Sequence, residues 1–158
     1  MTLRIAAVAA VALSALLGLE GCGPPDVAGT YDVNLVAATE DCPDVDEGDQ
    51  ISNVALVVSQ NGRSVQATAN VPWIIITLMY DFLGDTHPGG FSADSTDSVM
   101  VPIAGTNCVM TYTFNIDASV DETTITGEMT QFGTSNGDPS CTVDMCTATW
   151  NMAGVRNP

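Results

Sequence analysis

Apolar and polar residues alternate along most of the chain after residue 28. In TYDVNLVA, at residues 30–37, the apolar side chains fall mainly at every second position, the pattern of a half-buried β-strand. CVMTYTFNID at 108–117 and CTATWNMAGV at 146–155 repeat it, and shorter strands are predicted near 91–93 and 99–103. The pattern predicts an all-β fold, a single antiparallel up-and-down meander or barrel of about eight strands.

Two of these alternating runs meet at Asn61 and Gly62. Asn-Gly is a strong hairpin signal, because a two-residue turn needs positive φ angles that these residues adopt readily. We therefore expect the two runs to pair as neighbouring antiparallel strands.

One segment departs from the alternation. In PWIIITLMYDFL, at residues 72–83, the apolar residues also fit the spacing of one helix face. Pro72 suits a first helical turn and Gly84 suits a helix end, whereas the run of isoleucines favours a strand. The first interpretation predicts a short covering helix over about 72–83, and the strand interpretation stays open.

The chain begins with the features of an export signal. An apolar run from Ile5 to Leu17 follows Arg4, and it is shorter than a membrane-spanning helix requires. The next residues, Leu19-Glu20-Gly21-Cys22, resemble the lipobox of bacterial lipoproteins, although Glu20 replaces that family's usual small residue. The alternative is an ordinary exported protein in which Cys22 forms a disulfide.

The lipobox resemblance implies a processed and lipidated chain. It implies a signal peptide over residues 1–21, a lipidated Cys22 with its spacer over 22–27, and a folded domain over 28–158. Because Gly23 and not Asp follows the cysteine, the resemblance also implies an outer-membrane lipoprotein on the periplasmic face or the cell surface.

The charge of the chain limits its partners. Nineteen acidic residues stand against three arginines and no lysine, which gives a net charge of −16. Such a charge repels nucleic acids and anionic headgroups. We therefore expect no nucleic-acid partner. The expected partners are a membrane, through the N-terminal lipid, and a small apolar ligand. The protein is expected to be a monomer.

The two ends of the predicted domain resemble those of lipocalins. In that family a Gly-x-Trp motif opens the first strand and an arginine after the last strand packs on the Trp; the matching residues here are Gly29, Tyr31 and Arg156, with Tyr replacing Trp. The resemblance implies a closed barrel in which Arg156 stacks on Tyr31. The tail SCTVDMCTATWNMAGVR also resembles the ends of bacterial lipoproteins without an assigned activity.

A lipocalin-like barrel implies an interior that can hold a small apolar ligand. We expect its lining to include inward-facing aromatic and sulfur-containing side chains, namely Tyr112, Phe114, Trp150 and Met152. Small inward residues are expected to leave the space, namely Ala37, Ala67 and Ala148. The alternative is an acidic surface or adhesion lipoprotein whose interior is filled with side chains.

If Cys22 carries lipid, four cysteines remain in an exported chain, which predicts two disulfides. In a closed barrel the first and last strands are neighbours, which favours the pairs Cys42–Cys146 and Cys108–Cys141. The pairs Cys141–Cys146 and Cys42–Cys108 are the alternative.

The segment EDCPDVDEGD at residues 40–49 concentrates carboxylates. Asp44, Asp46 and Asp49 are candidate calcium ligands, because hard cations prefer several oxygen ligands. The alternative is a solvated charged loop, and no other cofactor is expected.

The single histidine, His87, is the main candidate for acid–base chemistry. It lies near Asp85, Ser92, Ser95 and Ser98, but this Gly/Asp-rich stretch has no nucleophile-elbow pattern. We therefore predict no enzymatic activity and assign no catalytic residue.

Overall fold

The structure, a computed structural model, describes residues 23–39, 41–43, 45–73 and 76–158. Within these ranges it has no helix, and so none long and apolar enough to cross a bilayer. The regular elements described are nine strands: β1 (Gly29–Ala37), β2 (Gln50–Asn61), β3 (Ser64–Trp73), β4 (Ile76–His87), β5 (Gly90–Ser95), β6 (Val99–Pro102), β7 (Val109–Val120), β8 (Thr124–Ser135) and β9 (Met145–Arg156).

The strands form one antiparallel barrel. The order is β5-β4-β3-β2-β1-β9-β8-β7-β6, and β5 also pairs with β7. That pairing closes a ring of eight strands and leaves β6 outside it, paired with β7. The predicted all-β barrel is therefore confirmed, including the neighbouring positions of the first and last strands.

The covering helix predicted over about 72–83 is replaced by strands. Pro72 lies in β3 and residues 76–83 lie in β4, while residues 74 and 75 fall outside the described residues. The helical spacing arose because Met79 and Leu83 are apolar although they face outward, with 68% and 51% of their surface exposed. The strand preference of the β-branched run prevailed.

The hairpin between β2 and β3 is confirmed, with its turn one residue later than expected. Asn61 pairs with Ser64, so the loop residues are Gly62 and Arg63. Gly62 has φ +63°, a conformation that favours glycine.

The barrel has two different ends. The closed end carries the turns at residues 62–63, 88–89 and 121–123, and backbone hydrogen bonds tie it together, such as Val120 N–H to the Gly89 carbonyl at 2.8 Å. Its interior is filled by buried side chains: Tyr31, Val58, Val65, Phe91 and Ile125. Val27 is fully buried over this end and accepts a hydrogen bond from the Tyr31 hydroxyl at 2.9 Å.

The open end carries the longer loops, at residues 38–49, 103–108 and 136–144. Two disulfides fasten these loops, Cys42–Cys146 and Cys108–Cys141. These are the favoured pairs. The first forms because the loop after β1 lies beside the start of β9, and the second because the loop before β7 lies beside the loop after β8. The disulfides therefore fix these loops at the open end, where Val45 of the first loop is buried and forms part of the cavity wall.

Candidate ligand-binding site

The open half of the barrel contains a cavity of about 740 Å³. This volume lies within the roughly 300–1,000 Å³ typical of small-molecule sites. Its wall includes the four side chains predicted to line a ligand site: Tyr112, Phe114, Trp150 and Met152. The barrel is thus packed at one end and hollow at the other.

The cavity wall is largely apolar. Aliphatic and sulfur-containing side chains surround its deeper part: Val33, Leu35, Val54, Leu56, Ile116, Met129 and Met152. At the mouth the wall continues through Pro72, Leu78 and residues 99–102 of β6. An interior of this composition favours a ligand with a large apolar surface.

An aromatic pair spans two walls of the cavity. The Tyr80 ring lies edge-on to the Phe114 ring, with 4.9 Å between centroids and 66° between planes. Burial raises the pKa of the Tyr80 hydroxyl above its ordinary value, because the phenolate is poorly solvated there. Tyr80 and Phe82 were not predicted as wall residues because both lay in the predicted helix. Strand alternation through residues 78, 80 and 82 was the signal that places them on the wall.

The alanines expected to leave space do not line the cavity. Ala37, Ala67 and Ala148 are buried, but the small wall residue is Ala69. Ala67 and Ala69 share the inward face of β3, and the boundary between packed and hollow interior falls between them. The position of this boundary depends on the side chains of the opposing strands. It cannot be predicted from the alternation of β3 alone.

A β-bulge in β2 shapes the mouth. Val33 pairs with Val54 and Leu35 with Ile51, so Asn34 faces both Ser52 and Asn53. Asn53 adopts φ +61°, and its N–H donates to the Asn34 Oδ1 at 3.3 Å. Beyond the bulge Ile51 packs against the core, and residues 49–52 together line the mouth of the cavity.

One buried polar side chain interrupts the apolar wall. Among the described residues, Gln131 is the buried polar or charged side chain, with 6% exposed. The Trp150 Nε1–H donates to the Gln131 Oε1 at 3.4 Å. Because the indole only donates, this bond orients the amide and leaves its two N–H donors for other acceptors.

The barrel closure predicted from the chain ends is present. Tyr31 pairs with Arg156 in the β1–β9 ladder, and the guanidinium carbon lies 5.9 Å from the Tyr31 ring centroid. The guanidinium also donates to the Ala28 carbonyl and lies 3.7 Å from an Asp26 carboxylate oxygen. A Cβ at Gly29 would stand 2.6 Å from the Arg156 Nε, so a larger residue at position 29 would clash with the guanidinium.

The described part of the acidic loop does not show a formed metal centre. Asp46 and Asp49 are exposed, and the Asp49 carboxylate accepts a hydrogen bond from the Asp46 N–H at 3.0 Å; Asp44 lies outside the described residues. Across the described ranges, no three His, Cys, Asp or Glu side chains are grouped to hold a metal ion. Calcium binding at these three residues stays a prediction.

His87 lies on the outer face of the closed end. Its Nε2 is 3.5 Å from an Asp117 carboxylate oxygen, and the other oxygen accepts a hydrogen bond from the Ser92 hydroxyl at 3.0 Å. Nucleophilic catalysis needs the base to contact the nucleophile. Here the Ser92 hydroxyl donates to the Asp117 carboxylate and not to the His87 ring. The three residues therefore do not form a histidine-activated nucleophile.

Comparisons with known proteins leave the chain without an assigned family. No protein-family model matches it, and no curated protein matches its sequence. The predicted lipidation site, Cys22, lies outside the described residues. The cavity is therefore the feature on which a functional argument rests.

Proposed function

We propose that this protein is a membrane-anchored lipoprotein whose lipocalin-like barrel holds a small apolar molecule in its cavity. The observation that carries the binding role is the apolar cavity of about 740 Å³ at the open end. A protein selected only for stability would be expected to fill this space, because an empty apolar cavity costs dispersion contacts. The lipid anchor is inferred from the sequence Leu19-Glu20-Gly21-Cys22.

The anchor and the cavity mouth would lie at opposite ends of the barrel. Val27 covers the closed end, and residues 23–26 alone separate it from Cys22. Four residues reach at most roughly 14 Å, so the closed end would face the membrane. The mouth would then open away from it, where a ligand can be exchanged without passing the anchoring bilayer.

Binding is tested with the delipidated full domain and Nile red, an uncharged fluorescent apolar dye. We expect saturable fluorescence enhancement with one dye per protein and a rise in melting temperature with dye concentration. The matched comparison is protein unfolded in urea with its disulfides reduced. No saturable signal, together with no co-purifying small molecule in native mass spectrometry, would exclude the binding role.

Anchoring is tested separately by Cys22→Ala in cells that process lipoproteins. We expect the variant to move from the membrane fraction to the soluble fraction, because lipid chains supply the anchoring free energy. Ser98→Ala serves as the control, since it makes a small change at an exposed position outside the predicted lipobox and leaves both disulfides intact. A membrane-bound Cys22→Ala protein would contradict the anchor.

A calcium-binding surface role is the second candidate, favoured by the carboxylate loop at the open end. Millimolar calcium should raise the melting temperature beyond the effect of magnesium chloride or sodium chloride at matched ionic strength. The combined variant Asp46→Asn with Asp49→Asn should remove that difference. Equal shifts of the melting temperature with all three salts would show that calcium acts only by screening the charges, and would exclude a specific calcium site.

A further inference from the structure

We infer that the ligand of this cavity carries no anionic group, and that a neutral hydrogen-bond acceptor on it meets the Gln131 amide. This inference rests on the proposed binding function and specifies its ligand class. It rests on the positions of the positively charged side chains and of the buried Gln131 amide among the described residues.

All described side chains that can carry positive charge lie at the closed end. Arg63 is in the β2–β3 turn, His87 ends β4, and Arg156 ends β9 over Tyr31. None of them lines the cavity, and the packed layer containing Tyr31 and Phe91 separates that end from it. A carboxylate or phosphate inside the cavity would therefore lose its hydration without gaining an ionic partner.

The mouth is acidic as well. Asp49 is part of the cavity wall, and Asp46 precedes it in the same loop. The loop at residues 136–144, also at the open end, adds Asp138 and Asp144. An anion would meet repulsion before it reached the apolar interior, whereas a neutral molecule would not.

The Gln131 amide supplies the polar contact. It is 6% exposed, it belongs to the cavity wall, and its oxygen already accepts from Trp150. The remaining N–H donors suit a hydroxyl, ester or carbonyl oxygen of the ligand. Burying such a polar group inside an apolar site is favourable only when it is paired, which selects for a ligand with an acceptor at this depth.

The test compares two ligands with the same hydrocarbon chain, lauryl alcohol and laurate, as competitors of Nile red at neutral pH. We expect the alcohol to bind at least about tenfold more tightly than laurate. If laurate binds equally well or better, the inference fails while the binding function stands. If the protein binds neither these competitors nor the dye, the proposed function itself fails.

A charge introduced at Gln131 should reverse the preference. We expect Gln131→Lys to raise the affinity for laurate relative to lauryl alcohol by at least about tenfold, because it gives the carboxylate a partner inside the cavity. Ser64→Lys adds the same charge at the exposed start of β3 and should leave the ratio unchanged. An unchanged ratio in folded Gln131→Lys protein would contradict the place given to Gln131; if that variant does not fold, the wild-type ratio still decides the ligand class.

Discussion

The Arg156 guanidinium carbon lies 5.9 Å from the centre of the Tyr31 ring, across the ladder that joins the last strand to the first. The same guanidinium donates to the Ala28 carbonyl, just before β1 begins. One side chain therefore joins the first and last strands of the barrel through a cation–π contact and a hydrogen bond. Tyr31 is fully buried and Arg156 half-buried, so water weakens these contacts only in part.

Replacing this arginine should destabilise the barrel. Arg156→Ala removes a cation–π contact and a charged hydrogen bond, and should lower the free energy of unfolding by about 1–3 kcal/mol. Arg156→Lys should recover only part of this loss, because an ammonium group lacks the planar fork. Urea denaturation measures both, with Arg63→Ala as the control: it removes the same type of side chain from an exposed turn.

The neighbouring glycine provides a second test of this contact. A Cβ at Gly29 would approach the Arg156 Nε to 2.6 Å, so Gly29→Ala should displace the guanidinium. In the Arg156→Ala background the same substitution should cost much less, and a double-mutant cycle measures that coupling. Additive effects of the two substitutions would show that the cost of a side chain at position 29 does not come from a clash with Arg156.

The closure of the barrel was predictable because its signals lie in short segments. The alternation from Tyr31 to Ala37 places four side chains inward, and all four are buried. The aromatic residue near the start and the arginine near the end then meet as the lipocalin resemblance implied. Strand alternation is set by local backbone geometry, so it can be read without knowing the partner strands.

The shape of the cavity was only partly predictable. Four wall residues follow from strand alternation. The bulge at Asn53 shifts the register of β2, and the sequence of β2 contains no signal that predicts this shift. The wall at Tyr80 was hidden because outward-facing Met79 and Leu83 imitate a helical stripe. Which part of the interior stays hollow is decided by side chains from several strands together.

The two disulfides should differ in their effect on stability. Cys42–Cys146 closes a sequence separation of 104 residues and Cys108–Cys141 one of 33. In the chain-entropy description, the paired replacement of Cys42 and Cys146 by Ala should cost roughly 5 kcal/mol, and that of Cys108 and Cys141 roughly 4 kcal/mol. Equilibrium unfolding in urea of the two double variants gives the order; a larger loss from the shorter loop would show that native contacts, and not chain entropy, dominate.

Alkaline pH should weaken the barrel through the buried Tyr31 and the partly buried Tyr80. Burial raises the pKa of Tyr80, and burial also raises that of Tyr31, a rise that nearby Arg156 opposes and Asp26 supports. Because the folded state holds these protons more tightly than the unfolded chain, their contribution is complete below the ordinary tyrosine pKa of about 10 and is lost as pH rises through the folded pKa.

Spectrophotometric titration tests this directly. Tyrosinate absorbance should appear at higher pH in the folded protein than in urea, and Tyr80→Phe should remove part of the late-titrating signal. The same variant should flatten the fall of unfolding free energy above pH 10. Superimposable titrations of folded and unfolded protein would rule out the buried environment assigned to these rings.

Two alanines on one strand should respond oppositely to enlargement. Ala69 lines the cavity, whereas Ala67 lies in the packed end, and both face inward from β3 with 5% or less of their surface exposed. Ala69→Leu should fill empty space, leave the free energy of unfolding within about 1 kcal/mol of the wild type, and weaken Nile red binding severalfold. Ala67→Leu should overpack the closed end and cost about 1–3 kcal/mol, with little effect on the affinity of the protein that remains folded. Urea denaturation and dye titration on the same two proteins separate these outcomes, and similar destabilisation by both would mean that the interior beside Ala69 is not hollow in solution.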